Sequence, residues 1–353
     1  MRLLILLLSA LLAPTQTAVQ FVSLGVPDGL GNRKVYQVAQ DGEGYIWFYT
    51  QNSIDRYDGF EFRHYVLGPE SREGNYQATS NTLSTAFDGV LHVVQTNGRV
   101  YRYNVGSDSF EEAFSIYPTS IYAVLPDKEE TWLGTSQGLV PLSGGESYFP
   151  ERTVNCLTEI RGKIYAGTDE GVYEYASGHV RRLEGCPPVD ITAIISLDDG
   201  RLFAGSFADG VFCMDSSTGA RIPLPGGFPN VPVRKIIRDG GRLLFATDGA
   251  GVVAYDLVKG EISANYISDD TDNGLCANTV SDILIDSDGI LWVTTTTDGV
   301  CYSDPLHIPP QWVRHVAGVS KSLPSDHVNS VMEDSRGRVW FGTNKGLSRW
   351  VSD

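Results

Sequence analysis

The residues of this chain best equipped for chemistry are carboxylates and amides that recur in short polar runs. Asp169 and Glu170, Asp209, Asp248 and Asp298 each follow a Thr or Ser by one to three positions, as do Gln51, Asn52, Asn97, Gln137 and Asn344. A second set, Asn32, Arg33, Asn81, Asp190, Arg234 and Asp326, stands at or just before stretches rich in β-branched residues. Planar carboxylate and amide groups suit sugar hydroxyls, and two carboxyls about 5–9.5 Å apart are what glycoside hydrolysis requires. A linear sequence does not show which of them converge, and each Asp or Asn taken singly is also an ordinary turn residue.

Other chemistries find less support. There is no HExxH and no phosphate-binding glycine loop. The six histidines (His64, His92, His179, His307, His315, His327) are scattered one to a segment and read as surface or packing residues. Five cysteines (Cys156, Cys186, Cys213, Cys276, Cys301) show neither CxxC nor metal-ligand spacing. They form no disulfide framework, and their odd number leaves at least one thiol unpaired or intermolecular, most being expected as small buried hydrophobes. No catalytic residue, metal or cofactor is assigned.

What positions the polar runs is a repeat. The Thr of "WFYT" at Thr50 recurs as Thr96, Thr135, Thr168, Ser206, Thr247, Thr295 and Thr343, in steps of 33 to 48 residues, a spacing typical of propeller blades. Three positions earlier stand Trp47, Val93, Trp132, Tyr165, Phe203, Leu244, Trp292 and Trp340, all apolar. A Gly follows most anchors by three or four positions, supplying the positive φ of a tight hairpin, and a short strand comes after it. Upstream, a strand runs into an Asp/Gly turn in "VYQVAQDGEG", "SDILIDSDG" and "NSVMEDSRG". Each unit is therefore three strands, usually with a fourth, and sheets of this kind bury both faces by packing radially.

The expected fold is all-β, a β-propeller over residues 19–305, with residues 306–353 either opening a second ring or closing the first. Trp47, Trp132, Tyr165, Phe203, Trp292 and Trp340 are expected to be its inter-blade core. Seven blades are preferred to eight because the connection between the seventh and eighth repeats is long and Pro-interrupted. Pairing of the Phe21 strand with the one near Tyr302 would support seven, and pairing with Leu347 eight. In this strand order the loops entering each first strand and those between second and third strands share one face. That face collects the candidate ligand-binding residues Asn32, Arg33, Asn52, Asn81, Asp169, Asp209, Arg234, Asp248 and Asp298. A homodimer interface competes for the same surface.

Residues 1–18 carry one Arg and an apolar core followed by small and polar residues, the pattern of a secretory signal peptide. The apolar run falls short of the roughly 20 residues of a membrane span, and no long one follows. A formal charge of −16 disfavours nucleic acid and anionic lipid as partners.

"GVPDGLGNRKVYQVAQDGEGYIWFYTQNSIDRYDGFEFRHY" and "SLPSDHVNSVMEDSRGRVWFGTNKGLSRW" resemble the two-component regulator propeller repeats of periplasmic sensor domains in Bacteroidetes hybrid two-component systems. The resemblance covers nearly the whole mature chain, weakest in the second repeat, where His92 and Gln95 depart from the pattern. It implies a sensor of oligosaccharides from complex glycans, of which this chain would be the first propeller and one further blade. In that family two propellers and a β-sandwich precede a membrane helix, a histidine kinase and a response regulator, so this chain alone would not relay a signal. An enzyme is the alternative, a lyase or glycoside hydrolase. Gly44–Asp58 resembles streptogramin lyases, and Asp286–Trp292 resembles the Asp-box turn of sialidase propellers with altered spacing, which reads as a structural turn.

Overall fold

The computed structural model describes residues 19–67, 82–84, 89–95, 97–115, 119–126, 130–224, 227–269, 274–303, 315, 322–336 and 338–349. The leader stretch 1–18 and Asn81 lie outside the described residues. The chain divides into two compact units, Met1–Pro305 and Leu306–Asp353.

In the first unit the described strands form seven antiparallel sheets. The first sheet holds Val35–Gln40, Ile46–Thr50, Ile54–Tyr57 and Phe62–Tyr65, and the second Thr82–Ser84, His92–Val94, Arg99–Asn104 and Ser109–Ser115. The third has three strands, Ile121–Pro126, Thr131–Thr135 and Gly138–Pro141. The fourth runs from Val154–Ile160 to His179–Arg182, the fifth from Ile191–Ser196 to Arg221–Ile222, and the sixth from Val233–Asp239 to Glu261–Tyr266. The seventh combines Val280–Ile285, Leu291–Thr295 and Val300–Ser303 with the N-terminal strand Val22–Leu24. Val22 stands opposite Tyr302. The innermost strands touch in succession, and Val280–Ile285 of the seventh sheet packs back against Val35–Gln40 of the first.

The second strand of each sheet explains the repeat. Ile46–Thr50 and Leu291–Thr295 are buried along their whole length, because both faces of the sheet are covered by neighbours. That is why these stretches read as continuous apolar runs. Side chains still alternate in direction. Trp47 packs with Leu91, Val93 and Tyr103 of the second sheet, whereas Phe48 joins Trp292 and Val300 of the seventh. Tyr165 likewise packs toward the fifth sheet and Phe203 toward the sixth. Among the described residues the core is thus seven wedges, each shared by two adjacent sheets. The Gly before the anchor marks where sheets come closest. A Cβ at Gly205 would lie 2.4 Å from Val233 Cγ1, and one at Gly167 would lie 2.6 Å from Ile191 Cγ2.

Two of the six expected core aromatics are less buried than the rest, though Trp132 still packs against the wedge between the third and fourth sheets. Trp132 is only half-buried, beside Tyr148 and Tyr175 at ring separations of 6.0 and 5.0 Å. In its sheet the place of a fourth strand is held only by a single bridge between Leu139 and Tyr148. Trp340, also half-buried, belongs to the second unit, a three-stranded sheet of Val328–Glu333, Val339–Thr343 and Gly346–Arg349. Within that unit no second described sheet covers it, and Val331, Met332 and Leu347 are exposed as well.

Candidate functional site

Wherever the anchor is described, the sheet ends, on one side, in a turn stapled by its hydroxyl; Thr96 of the second sheet lies outside the described residues. Thr50 Oγ1 donates to the Ser53 carbonyl at 3.0 Å, and Thr135, Thr168 and Thr247 donate to the carbonyls of Gly138, Gly171 and Gly251 at 2.8, 2.9 and 2.7 Å. Ser206, Thr295 and Thr343 do the same toward Gly210, Gly299 and Gly346. The same oxygen accepts a loop N–H, from Glu170, Asp209 and Asp298 among others. A hydroxyl that donates and accepts at once satisfies two buried backbone groups, which accounts for Thr or Ser at this register.

A further bond ties this turn to the loop entering the first strand. The N–H of the residue after the anchor donates to that loop in Gln51 to Lys34, Ser136 to Ser120, Asp169 to Thr153, Phe207 to Asp190, Asp248 to Pro232 and Thr296 to Thr279. Both loop sets therefore lie at the same end of each sheet. Among the described residues six inner strands also carry a β-bulge at that end, where the register shifts at Tyr36, Tyr122, Asn155, Thr192, Arg234 and Ser281. Bulges at a rim re-aim the side chain they carry. Thr192 and Ser281 hydroxyls reach over to the Val233 and Val35 carbonyls of the next sheet at 2.5 and 2.6 Å.

The predicted residues do not form one cluster. Asn32 is a turn residue, its Oδ1 accepting the Lys34 N–H at 2.9 Å, and the Arg33 carbonyl accepts the Gly299 N–H at 2.7 Å. Asn52, Asp209 and Asp298 are exposed on three different sheets. Asp169 Oδ1 accepts the Thr153 N–H at 3.2 Å. Near it, Asp190 accepts from Asn155 Nδ2 at 2.7 Å, and its carboxyl is pushed above the usual range by burial, with Asp169 adding repulsion.

Arg234 and Asp248 do meet. Arg234 Nη2 lies 2.6 Å from Asp248 Oδ2, with both side chains about a third exposed, and the guanidinium sits over the Phe207 ring at 5.3 Å from its centroid. Phe207 itself is 48% exposed, on the turn of the neighbouring fifth sheet. An open aromatic face beside a planar cation and a carboxylate offers stacking and hydrogen bonding together. Sequence reasoning missed Phe207. The signal was an aromatic directly after the anchor, where the other repeats carry polar residues.

At the opposite end of the sheets the Asp turns are structural. Asp41, Asp286 and Asp334 accept the indole N–H of Trp47, Trp292 and Trp340 at 2.7, 2.8 and 2.9 Å, and their other oxygen accepts two backbone N–H groups. The Trp340 indole, followed by the N–H groups of Arg336 and Arg338, holds the Asp334 carboxyl well below the usual carboxylate range.

The two-component regulator propeller profile matches residues 274–297 and 322–345. No curated protein sequence matches the chain. Over 94% of its length the chain is similar to 48% of the extracellular domain assigned to the hybrid two component system BT3049 of B. thetaiotaomicron, at 19% identity and a TM-score of 0.68. A second extracellular domain, that of BT4673 from the same organism, is similar at 22% identity and a TM-score of 0.66, with 95% of this chain and 46% of that one covered. The chain spans about half the length of the solved structures it matches. It is an all-β propeller protein in which residues 274–297 and 322–345 match two-component regulator propeller repeats.

Proposed function

We propose that this chain is the sensing part of an extracytoplasmic receptor of the hybrid two-component type, its first unit a seven-bladed ring that binds an oligosaccharide on the loop face bearing Phe207, Arg234 and Asp248. The repeat type and the extracellular standing of the similar structures support the class. The observation that carries the ligand reading is the exposed Phe207 ring with Arg234 and Asp248 against it. Such an arrangement presents a stacking platform and a bidentate polar pair to a sugar ring. Among the described residues no helix is long and apolar enough to cross a membrane.

Calorimetry of the purified chain against neutral and acidic oligosaccharides tests the proposal. Phe207→Ala and Arg234→Ala are expected to weaken binding at least tenfold without lowering Tm by more than a degree or so. Joint neutralisation of Arg33, Asp209 and Asp248 would then report on the wider rim. Binding indifferent to all of these would overturn the assignment to this face. The enzymatic alternative rests on Asp190, raised by burial beside Asp169, and turnover of a glycan lost in Asp190→Asn would favour it instead.

A further inference from the structure

The charges around Phe207 are unevenly matched. At this end of the fourth, fifth and sixth sheets the guanidiniums are already engaged: Arg152 with Glu170 at 2.6 Å, Arg182 with Glu184 at 3.2 Å and Arg234 with Asp248 at 2.6 Å. Lys235, next to Arg234, reaches Asp282 at 3.5 Å. Among the described residues no ion pair takes up Asp169, Asp190 or Asp209; Asp169 and Asp190 accept instead from the Thr153 N–H at 3.2 Å and from Asn155 Nδ2 at 2.7 Å. Two of these three flank the ring. The Phe207 N–H donates to the Asp190 carbonyl at 2.9 Å, and exposed Asp209 stands two positions on in the same turn, its N–H held by Ser206 Oγ at 2.7 Å.

We propose that this face takes oligosaccharides without carboxylate or sulfate groups, Asp209 and Asp190 being the residues that reject acidic sugars. This rests on the oligosaccharide reading above and adds to it the charge class of the ligand.

Two residues span at most about 7 Å of chain, less than the screening length of about 8 Å at physiological salt, so the Asp209 charge is felt at the Phe207 ring. A uronate or sulfate seated on that ring finds Arg234 neutralised by Asp248 and gains no free cation to offset the water it gives up. The carboxyl of Asp190 is pushed above its usual range by burial, with Asp169 adding repulsion, and a further anion brought to the same strip meets repulsion from both. A sugar bearing hydroxyls alone escapes these costs: it stacks on Phe207, donates to the carboxylates and accepts from Arg234. Selection of this kind works by a penalty on the wrong ligand rather than by a further contact to the right one.

The full chain is titrated by calorimetry with matched pairs: uronate oligosaccharides of one length, methyl-esterified and free, and galactose oligosaccharides, bare and sulfated. Titrations run at about 0.1 M and about 1 M salt, between which the screening length falls from about 10 to about 3 Å. The uncharged member of a pair is expected to bind about tenfold or more tightly than the charged one at the lower salt, and the ratio to shrink at the higher. Asp209→Asn should reduce that ratio and Asp190→Asn added to it should bring it near one. Asp288→Asn, the same charge change on an exposed turn at the opposite end of the seventh sheet, should leave it as it is. Acidic sugars that bind as tightly as their uncharged partners, with Phe207→Ala weakening both, would leave the site standing and overturn the charge class alone. A ratio that survives the double substitution would also overturn it. Failure of every compound to bind would instead overturn the oligosaccharide reading, and this proposal with it.

Discussion

Replacing Trp47 by Ala tests the wedge architecture most directly. Its indole is fully buried, stands 4.8 and 5.3 Å from the Tyr103 and Tyr65 rings, and donates to Asp41 at 2.7 Å. An aromatic side chain of this kind buries about 150–250 Å², which at about 25 cal/mol per Å² corresponds to about 4–6 kcal/mol. Alanine retains a small part of that area and the lost indole donor adds about 1 kcal/mol. The expected loss is therefore about 4–5 kcal/mol, within the range for large-to-small core changes. Trp132→Ala, at the same register but only partly buried, should lose less, about 3 kcal/mol. Urea denaturation followed by fluorescence and circular dichroism gives both numbers, provided the slope m is unchanged. Equal losses for the two variants, or a loss under about 2 kcal/mol for Trp47→Ala, would refute the reasoning that neighbouring sheets set the value of this position.

Other expectations bear on the staples and turns. Thr247→Val keeps the shape but removes the hydroxyl that bonds Gly251 and Ala250, and should lower stability by about 1–3 kcal/mol, with Thr247→Ser near neutral in the same melt. Gly251 has φ +73°, and a Cβ there would lie 2.1 Å from the Tyr266 carbonyl oxygen, whereas Gly289, at φ +82°, has open space around it. Gly251→Ala should therefore fail to fold or lose several kcal/mol, and Gly289→Ala should lose only about 1–2 kcal/mol, as thermal melts will show. The Asp108 carboxyl is held below its usual 3.8 by hydrogen bonds from Tyr103 and Tyr65, with Arg63 and Arg56 adding to the effect. A carboxyl lowered on folding stabilises fully above its unfolded value and loses that contribution as pH falls through the folded one. The Tm gap between wild type and Asp108→Asn should be complete at neutral pH and close below about pH 3.8; a gap independent of pH would contradict the assignment.

The repeat was legible because it is written in local terms: an anchor Thr, an aromatic three positions before it and a Gly after it. Trp47, Tyr165, Phe203 and Trp292 are buried as that pattern implies. Trp132 and Trp340 are not, since the burial of one ring depends on what an adjacent sheet supplies, and nothing within either repeat records that. The function of the anchor hydroxyl was also hidden. Thr reads as a β-former in sequence, and only the hairpin shows it bridging the Gly carbonyl and a loop N–H. At the candidate site, the shared end of the two loop sets followed from strand order alone. The pairing of Arg234 with Asp248 required the bulge at Arg234, and Phe207 was indistinguishable by type from the aromatics of the core. Asn32 shows the converse, a polar residue whose bonds are consumed by its own turn.

The seventh sheet has a temporal consequence. Val22–Leu24 leaves the ribosome early, yet its partner Val300–Ser303 follows roughly 275 residues later. At about 5–20 residues per second that is on the order of 15–55 s during which this strand waits unmatched. Its three residues, with Ser23 at the centre, offer a poor template to other nascent chains. Brevity at the seam thus protects the newborn polypeptide from sticking to its siblings until the seventh sheet arrives.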